Sequence, residues 1–238
     1  MKVSHVTRYR KRGVAATVCL VAGLSSVGCV QTTVQEVRQA DTQIGTGESI
    51  VILSRKHKTQ GETEDDFVTC VSDSVNSGDG ALPILSEREF VDATFPWFEP
   101  RTAPLNMEDL ATVINRPLIA RRIDEIGVRY LVWIEGTTER TDESGSLNCT
   151  FFSGGIPACF GFLSWESGSD YEASVWDVER GMTVGTLSSE AAGTSFVPAV
   201  VVPIPVIARV REKACANMSD QIKTFIHPTL ASVPVPEG

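Results

Sequence analysis

The stretch Tyr130-Leu-Val-Trp-Ile-Glu135 decides the fold, and glycines at positions 127 and 136 bound it. Its apolar residues fall on both faces of an extended chain, which is typical of a strand that is buried on both sides. Such a strand lies inside a sheet rather than at its edge. The stretch contains no motif of a known reaction, so it indicates a fold class and leaves the function to other features.

The segments around this strand predict further strands at residues 49–54, 82–85, 171–178 and 182–187, the last two joined as a hairpin through Gly181. Helices are predicted to begin near Thr63, Asn106 and Pro117, a helical turn is predicted to begin at Ser86, and a final helix ends at His227. This order predicts an α+β fold, a single mixed sheet of about five strands with three or four helices mainly on one face.

Two segments do not fit a simple element. Residues 142–170 are rich in Gly and Ser and are predicted to be a long insertion. Residues 196–208 are apolar but interrupted by Pro198, Pro203 and Pro205. Those prolines exclude a membrane-spanning helix, and two readings of the run stay open: a buried crossover, or a surface that contacts another copy or a bilayer.

The N-terminus has the pattern of a bacterial lipoprotein signal. A basic segment precedes an apolar run of the length of a signal-peptide core, which ends at Ser26-Val-Gly-Cys29. We therefore expect residues 1–28 to be removed and Cys29 to carry the lipid. Residues 29–47 would be a flexible tether, residues 48–228 one periplasmic domain and residues 229–238 a disordered tail. Val30, rather than Asp, follows the cysteine and favours sorting to the outer membrane.

The charge balance limits the partners. The chain carries 21 basic and 30 acidic residues, and the expected signal contains five of the basic ones and none of the acidic ones. The excess of acidic over basic residues gives a surface that repels nucleic acid and anionic headgroups. The lipid, rather than the surface charge, is therefore expected to hold the protein at the membrane.

Four cysteines would remain in an oxidising compartment: Cys70, Cys149, Cys159 and Cys215. They allow three connectivities, or four reduced thiols. We expect Cys149–Cys159, a local staple within the Gly-rich insertion, and Cys70–Cys215, which would join the first and last helices. The absence of a C-x-x-C pair gives no support to a zinc knuckle.

Three short segments, SEREF (86–90), GVRYLVWIEG (127–136) and VWDVERG (175–181), resemble those of the periplasmic lipoproteins related to the curli-secretion channel and the penicillin-binding-protein activators. The resemblance spans roughly residues 49–225, and the cysteines differ. It implies a non-enzymatic protein of the cell envelope.

Catalytic and metal sites have weak support in the sequence. No G-x-S-x-G elbow is present, and His57 and His227 are explained by a polar loop and a helix end. The acidic residues around Glu64 are explained by the start of a helix as well as by a cation site. No cofactor and no metal are expected. Glu135 and Asp177 are the carboxylates that a hydrolase of envelope material would use.

The aromatic run at Phe95, Trp97 and Phe98 is either core beneath a loop or an anchor for a partner. Taken together, these patterns predict a lipid-anchored periplasmic binding or assembly module without its own catalysis, with an envelope protein or a second copy as partner. The alternatives are a homo-oligomeric structural or secretion-related ring component and the carboxylate-dependent hydrolase.

Overall fold

A computed structural model describes residues 29–54, 63–99, 101–152 and 156–227. The expected signal, His57, Glu62 and the expected tail lie outside these ranges. The elements in chain order are the following: β1 (Val30–Arg38), β2 (Ser49–Ser54), α1 (Asp65–Val75), α2 (Glu87–Ala93), α3 (Met107–Ile114), α4 (Pro117–Glu125), β3 (Val128–Phe152), β4 (Ile156–Asp177), β5 (Met182–Pro203) and α5 (Val210–Ile226).

The strands form one mixed sheet in the order β1-β5-β4-β3-β2. Only β2 and β3 run parallel, and the other neighbours are antiparallel. The α+β class and the single five-stranded mixed sheet are therefore confirmed. The strand at Tyr130 lies inside the sheet as expected, although β4 is the middle strand. The predicted strand at 82–85 is reduced to an isolated bridge between Ile84 and Ile50.

The five helices of the described chain cover both faces of the sheet, so the predictions of three or four helices and of their placement mainly on one face are wrong. On the first face, α1 and α5 pack against alternate residues of β3 and β4, including Tyr130, Val132 and Val175. On the second face, α2, α3 and α4 pack against Leu131 and Trp133. A strand that is apolar on both faces needs cover on both, because each buried large apolar side chain contributes roughly 1.5–3 kcal/mol to the free energy of folding.

Residues 30–38 do not form the expected tether. They pair as β1 with the outer side of β5, from Val30 opposite Gly193 to Arg38 opposite Gly185. The guanidinium of Arg38 lies 3.9 Å from the ring centroid of Phe225 and donates to the Phe225 carbonyl, which fixes the end of β1 on α5. The strand is mostly exposed, as suits an edge.

The predicted helix starts are accurate where a side chain caps them. Ser86 and Glu89 form a capping box, Asn106 accepts from the amide of Asp109, and Pro117 is the first residue of α4. Thr63 does not cap α1 and donates to the carbonyl of Ile134 instead. None of the described helices is both long and apolar enough to cross a membrane.

Past Gly136, three strands extend beyond the helices as an arm, which we define as residues 137–152, 156–169 and 192–203. Residues 142–170 are therefore not an insertion but the continuation of β3 and β4, strands of 25 and 22 residues. At about 3.3 Å per residue the arm is roughly 45 Å long. Its β3 residues 139–146 are all exposed, so no helix of the described chain covers this strand.

A bulge sets the register of the arm. Asp142 has φ of 40° and is an extra residue in β3, since Thr141 pairs with Glu166 and Glu143 with Trp165. This one-residue shift places Cys149 directly opposite Cys159, and the two form a disulfide with 4.0 Å between their Cα atoms.

A second disulfide, Cys70–Cys215, joins α1 to α5 with 6.2 Å between the Cα atoms. Both pairs match the expected connectivity. The two helices lie side by side on the first face, as that pairing requires.

Gly185 makes the closest packing between the sheet and α5. A Cβ at this position would lie 2.4 Å from the Phe225 ring and 2.6 Å from the Val37 carbonyl. We predict that Gly185→Ala lowers the free energy of unfolding by about 1–3 kcal/mol, because ring or strand must shift. Gly168→Ala is the matched control, since nothing lies within 4 Å of its added Cβ. Equal midpoints of denaturant unfolding for the two variants would contradict the packing.

The two disulfides are predicted to stabilise different parts of the molecule. Replacing Cys70 and Cys215 by Ser should lower the free energy of unfolding by roughly 2–5 kcal/mol, because the bridge closes a long loop through the core. Replacing Cys149 and Cys159 should leave the main thermal transition nearly unchanged and expose the end of the arm to proteases. Loss of the main transition in the second variant, or its survival unaltered in the first, would contradict this division.

Candidate functional site

The end of the arm carries no charge. The sequence has no Asp, Glu, Lys or Arg between Glu143 and Glu166, nor between Glu190 and Arg209. We call residues 144–152, 156–165 and 194–207 the tip. Charged residues follow immediately below it in the sheet and are mostly exposed: Glu139, Arg140, Asp142, Glu143, Glu166, Asp170 and Glu190. The arm is thus divided into a charged base and an uncharged tip.

One face of the tip is apolar on two of its three strands. Phe160 pairs with Val200, Phe162 with Pro198 and Ser164 with Phe196, and paired residues share a face of a sheet. We call Phe160, Phe162, Phe196, Pro198 and Val200 the apolar face. Val200 is 81% exposed and Phe162 is 48% exposed, so this surface faces solvent. On the third strand the same face is polar, with Asn148 opposite Phe160 and Ser146 opposite Phe162.

On the opposite face of the tip the side chains of β5 are buried as far as Ala199, whereas Phe151 on β3 is 78% exposed. After β5 the chain turns back, and Val206 exchanges two backbone hydrogen bonds with Phe196. Ala208 then donates its amide to Ser195. Val197 and Ala199, whose side chains alternate with those of the apolar face, are buried. Residues 196–203 are thus the end of β5 rather than a crossover, with one side buried and the other exposed, and contact of the exposed side with another copy or a bilayer stays a prediction.

Cys29 lies at the foot of the apolar face. It directly precedes Val30, which pairs with Gly193, and it is exposed with a free thiol. Its neighbours in a groove of about 650 Å³ include Thr194 and Phe196, so the residue expected to carry the lipid adjoins the beginning of the apolar face.

The two long edges of the arm differ. β2 pairs with β3 only as far as Ser54 opposite Ile134, so among the described residues no strand pairs with the outer edge of β3 along the arm. The Glu64 carboxylate accepts from the amide of Thr138 at the start of that edge. On the β5 side, β1 and the returning residues 204–206 hydrogen-bond to the edge.

The predicted aromatic anchor is divided between core and surface. Phe98 is buried and packs edge-on against Phe90, with ring centroids 4.8 Å apart. Trp97 is partly buried and packs against the core on the second face of the sheet, whereas Phe95 is 65% exposed. Phe95, Trp97 and Leu118 line a groove of about 500 Å³ between the end of α2 and α4. Phe98 is thus a core residue, and Phe95 is the part of the run that is open to a partner.

Glu135 and Asp177 do not form a catalytic pair. Glu135 lies opposite Glu172 and Asp177 opposite Tyr130, five positions apart along β3, or about 17 Å. Asp177 is fully buried, and its carboxylate accepts from the Arg129 guanidinium at 2.9 Å and the Arg180 amide at 3.0 Å. Such separation exceeds that of paired carboxylates in glycosidases.

Glu64, which precedes α1, joins the start of this helix to β3 and β4 through hydrogen bonds. The carboxylate of Glu64 accepts from the hydroxyl of Tyr171 at 2.7 Å as well as from Thr138. Burial raises the pKa of Tyr171, and the neighbouring Glu64 adds to the shift. In the part of the chain that the structure describes, no group of three or more His, Cys, Asp or Glu side chains could hold a metal ion. His227 is the C-cap of α5.

Sequence reasoning missed the arm and its apolar face. The aromatic residues of β4 were assigned to an insertion, because Gly and Ser separate them and no alternation of apolar and polar residues is visible. The usable signal was the length of the two uncharged runs, which the sequence shows directly.

Comparisons with known proteins yield a weak structural likeness. The chain matches no protein-family model and no curated protein. Among solved structures, two of the PelC dodecamer from Paraburkholderia phytofirmans are similar to it. One, of a leucine-to-methionine variant, has a TM-score of 0.37 and 11% identity, and the match covers 82% of this chain and 98% of that chain. The second has the same TM-score and 10% identity, covering 82% and 97%. A TM-score this low does not establish a shared fold.

We predict that Asp177→Asn lowers the free energy of unfolding by about 1–3 kcal/mol, because the buried carboxylate no longer pairs with Arg129, which keeps Glu48 and Glu179 beside its guanidinium. Glu135→Gln should change it by less than about 0.5 kcal/mol, since an amide oxygen still accepts from the Trp133 indole, as Glu135 does at 2.7 Å. Denaturant unfolding measures both. A purified protein that hydrolyses peptidoglycan or ester substrates, and loses this activity in either variant, would contradict a structural role.

Proposed function

We propose that this protein is a lipid-anchored periplasmic protein of the outer membrane that acts as a binding or assembly module and has no catalysis of its own. The folded base, made of the sheet below Gly136 and its helices, holds the arm at a fixed angle to the point of attachment. The arm is the part that meets partners.

The observation that carries this proposal is the position of Cys29. It has no disulfide partner, it is exposed, and it stands directly before a strand that is part of the sheet. A lipid on Cys29 would therefore be attached to the folded domain without a long linker, which fixes the distance between membrane and arm. A tether of the length expected from sequence would leave that distance variable.

Homo-oligomeric assembly is the second candidate, and the outer edge of β3 favours it. A long strand edge with unpaired backbone groups is a template for another strand. Pairing this edge with the same edge of a second copy would be a two-fold contact, because β1 and residues 204–206 already bond to the β5 edge; a ring would need a further, head-to-tail surface. Light scattering on the detergent-solubilised protein separates the two candidates, since a ring has a mass several times that of the chain.

Lipid attachment is predicted to depend on Cys29 alone. In cells fed a radioactive fatty acid, Cys29→Ser should lose the label and retain the signal, because the hydroxyl does not accept the thioether-linked lipid. Cys19→Ser is the matched control, a cysteine within the expected signal, and should label normally. Labelling of the Cys29→Ser protein would refute the lipoprotein assignment.

A further inference from the structure

The apolar face and the lipid attachment point lie together on the sheet. Cys29 and Phe196 line the same groove, and from Phe196 the apolar face continues along β4 and β5 away from the base. The rings of Phe162 and Phe196 are 6.1 Å apart and near-parallel, so they form one continuous surface. A lipid on Cys29 would therefore emerge beside the apolar face.

Charge marks a boundary at the same level. Glu166 lines the groove with Cys29, and Glu190 lies on β5 two residues before Ala192, which also lines it. Beyond them neither uncharged run carries an ionisable Asp, Glu, Lys or Arg. Carboxylates are costly to bring into an apolar layer, whereas Phe, Val and Pro are not. The acids therefore stay in water while the tip is free to leave it.

The backbone hydrogen bonds of the tip also suit an arrangement in which the tip leaves water and the acids stay in it. On the β5 side, the returning chain hydrogen-bonds to the edge as far as Pro198, from Val206 to Phe196 and from Ile204 to Pro198. Pro198, Pro203 and Pro205 have no amide N–H to satisfy. On the β3 side, no strand of the described residues pairs with the edge, and polar residues such as Ser146 and Asn148 need water. The β5 side can thus enter an apolar layer while the β3 side remains hydrated.

We propose that the apolar face rests in the interfacial layer of the bilayer, so that the arm is a second membrane contact beside the lipid on Cys29. This inference depends on the proposed function in one respect, the lipid on Cys29. That lipid would hold the bilayer next to the apolar face at a high effective concentration. A bilayer fits better than a protein partner, because the exposed side chains of Phe160, Phe162 and Val200 are uncharged and lie on the side where the lipid emerges. Two contacts would fix the tilt of the domain above the membrane.

The test uses residues 29–238 with the substitution Cys29→Ser, so that no lipid is attached. Its flotation with vesicles of phosphatidylethanolamine and phosphatidylglycerol measures the arm contact by itself. We expect the protein to float, and high salt not to release it, since no attraction between opposite charges holds it and salt only screens the repulsion between the acidic base and phosphatidylglycerol. The triple variant Phe160→Ser, Phe162→Ser and Val200→Ser should reduce the partition coefficient by about tenfold or more.

Leu118→Ser on α4 is the matched control, because Leu118 is 59% exposed but lies on the base; it should float as the parent does. Unchanged unfolding midpoints show that the variants fold. Absence of flotation, or equal flotation of the triple variant, would overturn the inference, as would self-association without vesicles that the triple variant abolishes. Acylation of Cys29 is read separately by mass spectrometry of the cellular protein, so failure of the lipid assignment is distinguished from failure of the arm contact.

Discussion

The register of β4 between β3 and β5 is the constraint on which the rest of the structure depends. β4 has a hydrogen-bonded neighbour on each side over nearly its whole length, so a single alignment of three strands serves the base and the arm together. In the base, this alignment places Ala173 of β4 between Ile134 of β3 and Leu187 of β5. All three side chains lie in the core on the first face of the sheet. A slip by one residue would turn these side chains to the opposite face.

The same alignment determines what the arm presents. With the bulge at Asp142 included, it brings Cys149 against Cys159 and sets Phe160 beside Val200. The disulfide fixes this register near the end of the arm, where no helix of the described chain covers β3. The base and the arm are thus joined by continuous strands rather than by a hinge. Backbone hydrogen bonds therefore run along the strands from the tip to the core.

Elements with local signals could be predicted from the sequence. Asn106, Pro117 and Gly127 marked helix ends because capping and turn chemistry act within a few residues, and Gly127 has φ of 71° where the chain leaves α4 for β3. The pairing of Cys70 with Cys215 followed from placing two amphipathic helices on one face of the sheet. The covering of the second face was implied by Leu131 and Trp133, since a strand apolar on both sides needs two layers.

The arm and β1 could not be predicted in the same way. β1 and the β3 strand of the arm are exposed on both faces, and in the β5 strand of the arm the buried and the exposed side chains are both apolar, so an alternation of apolar and polar residues is missing. Their order comes from pairing with residues far away in the chain, as between Val30 and Gly193. Composition suggested a linker and an insertion, because Gln, Thr, Gly and Ser are common in both. The site was missed for the same reason, since its aromatic residues lie on strands that the sequence did not reveal.

Amide hydrogen exchange along β4 tests the central claim, that the arm is an ordered extension of the core sheet. Mass spectrometry of peptides from residues 158–169 of the native protein gives the rate directly. Because β4 is hydrogen-bonded to β3 or β5 throughout this segment, its amides are predicted to exchange orders of magnitude more slowly than in an unstructured peptide. Exchange of this segment at the unstructured rate, with residues 170–176 still protected, would contradict the account and restore the Gly/Ser-rich insertion.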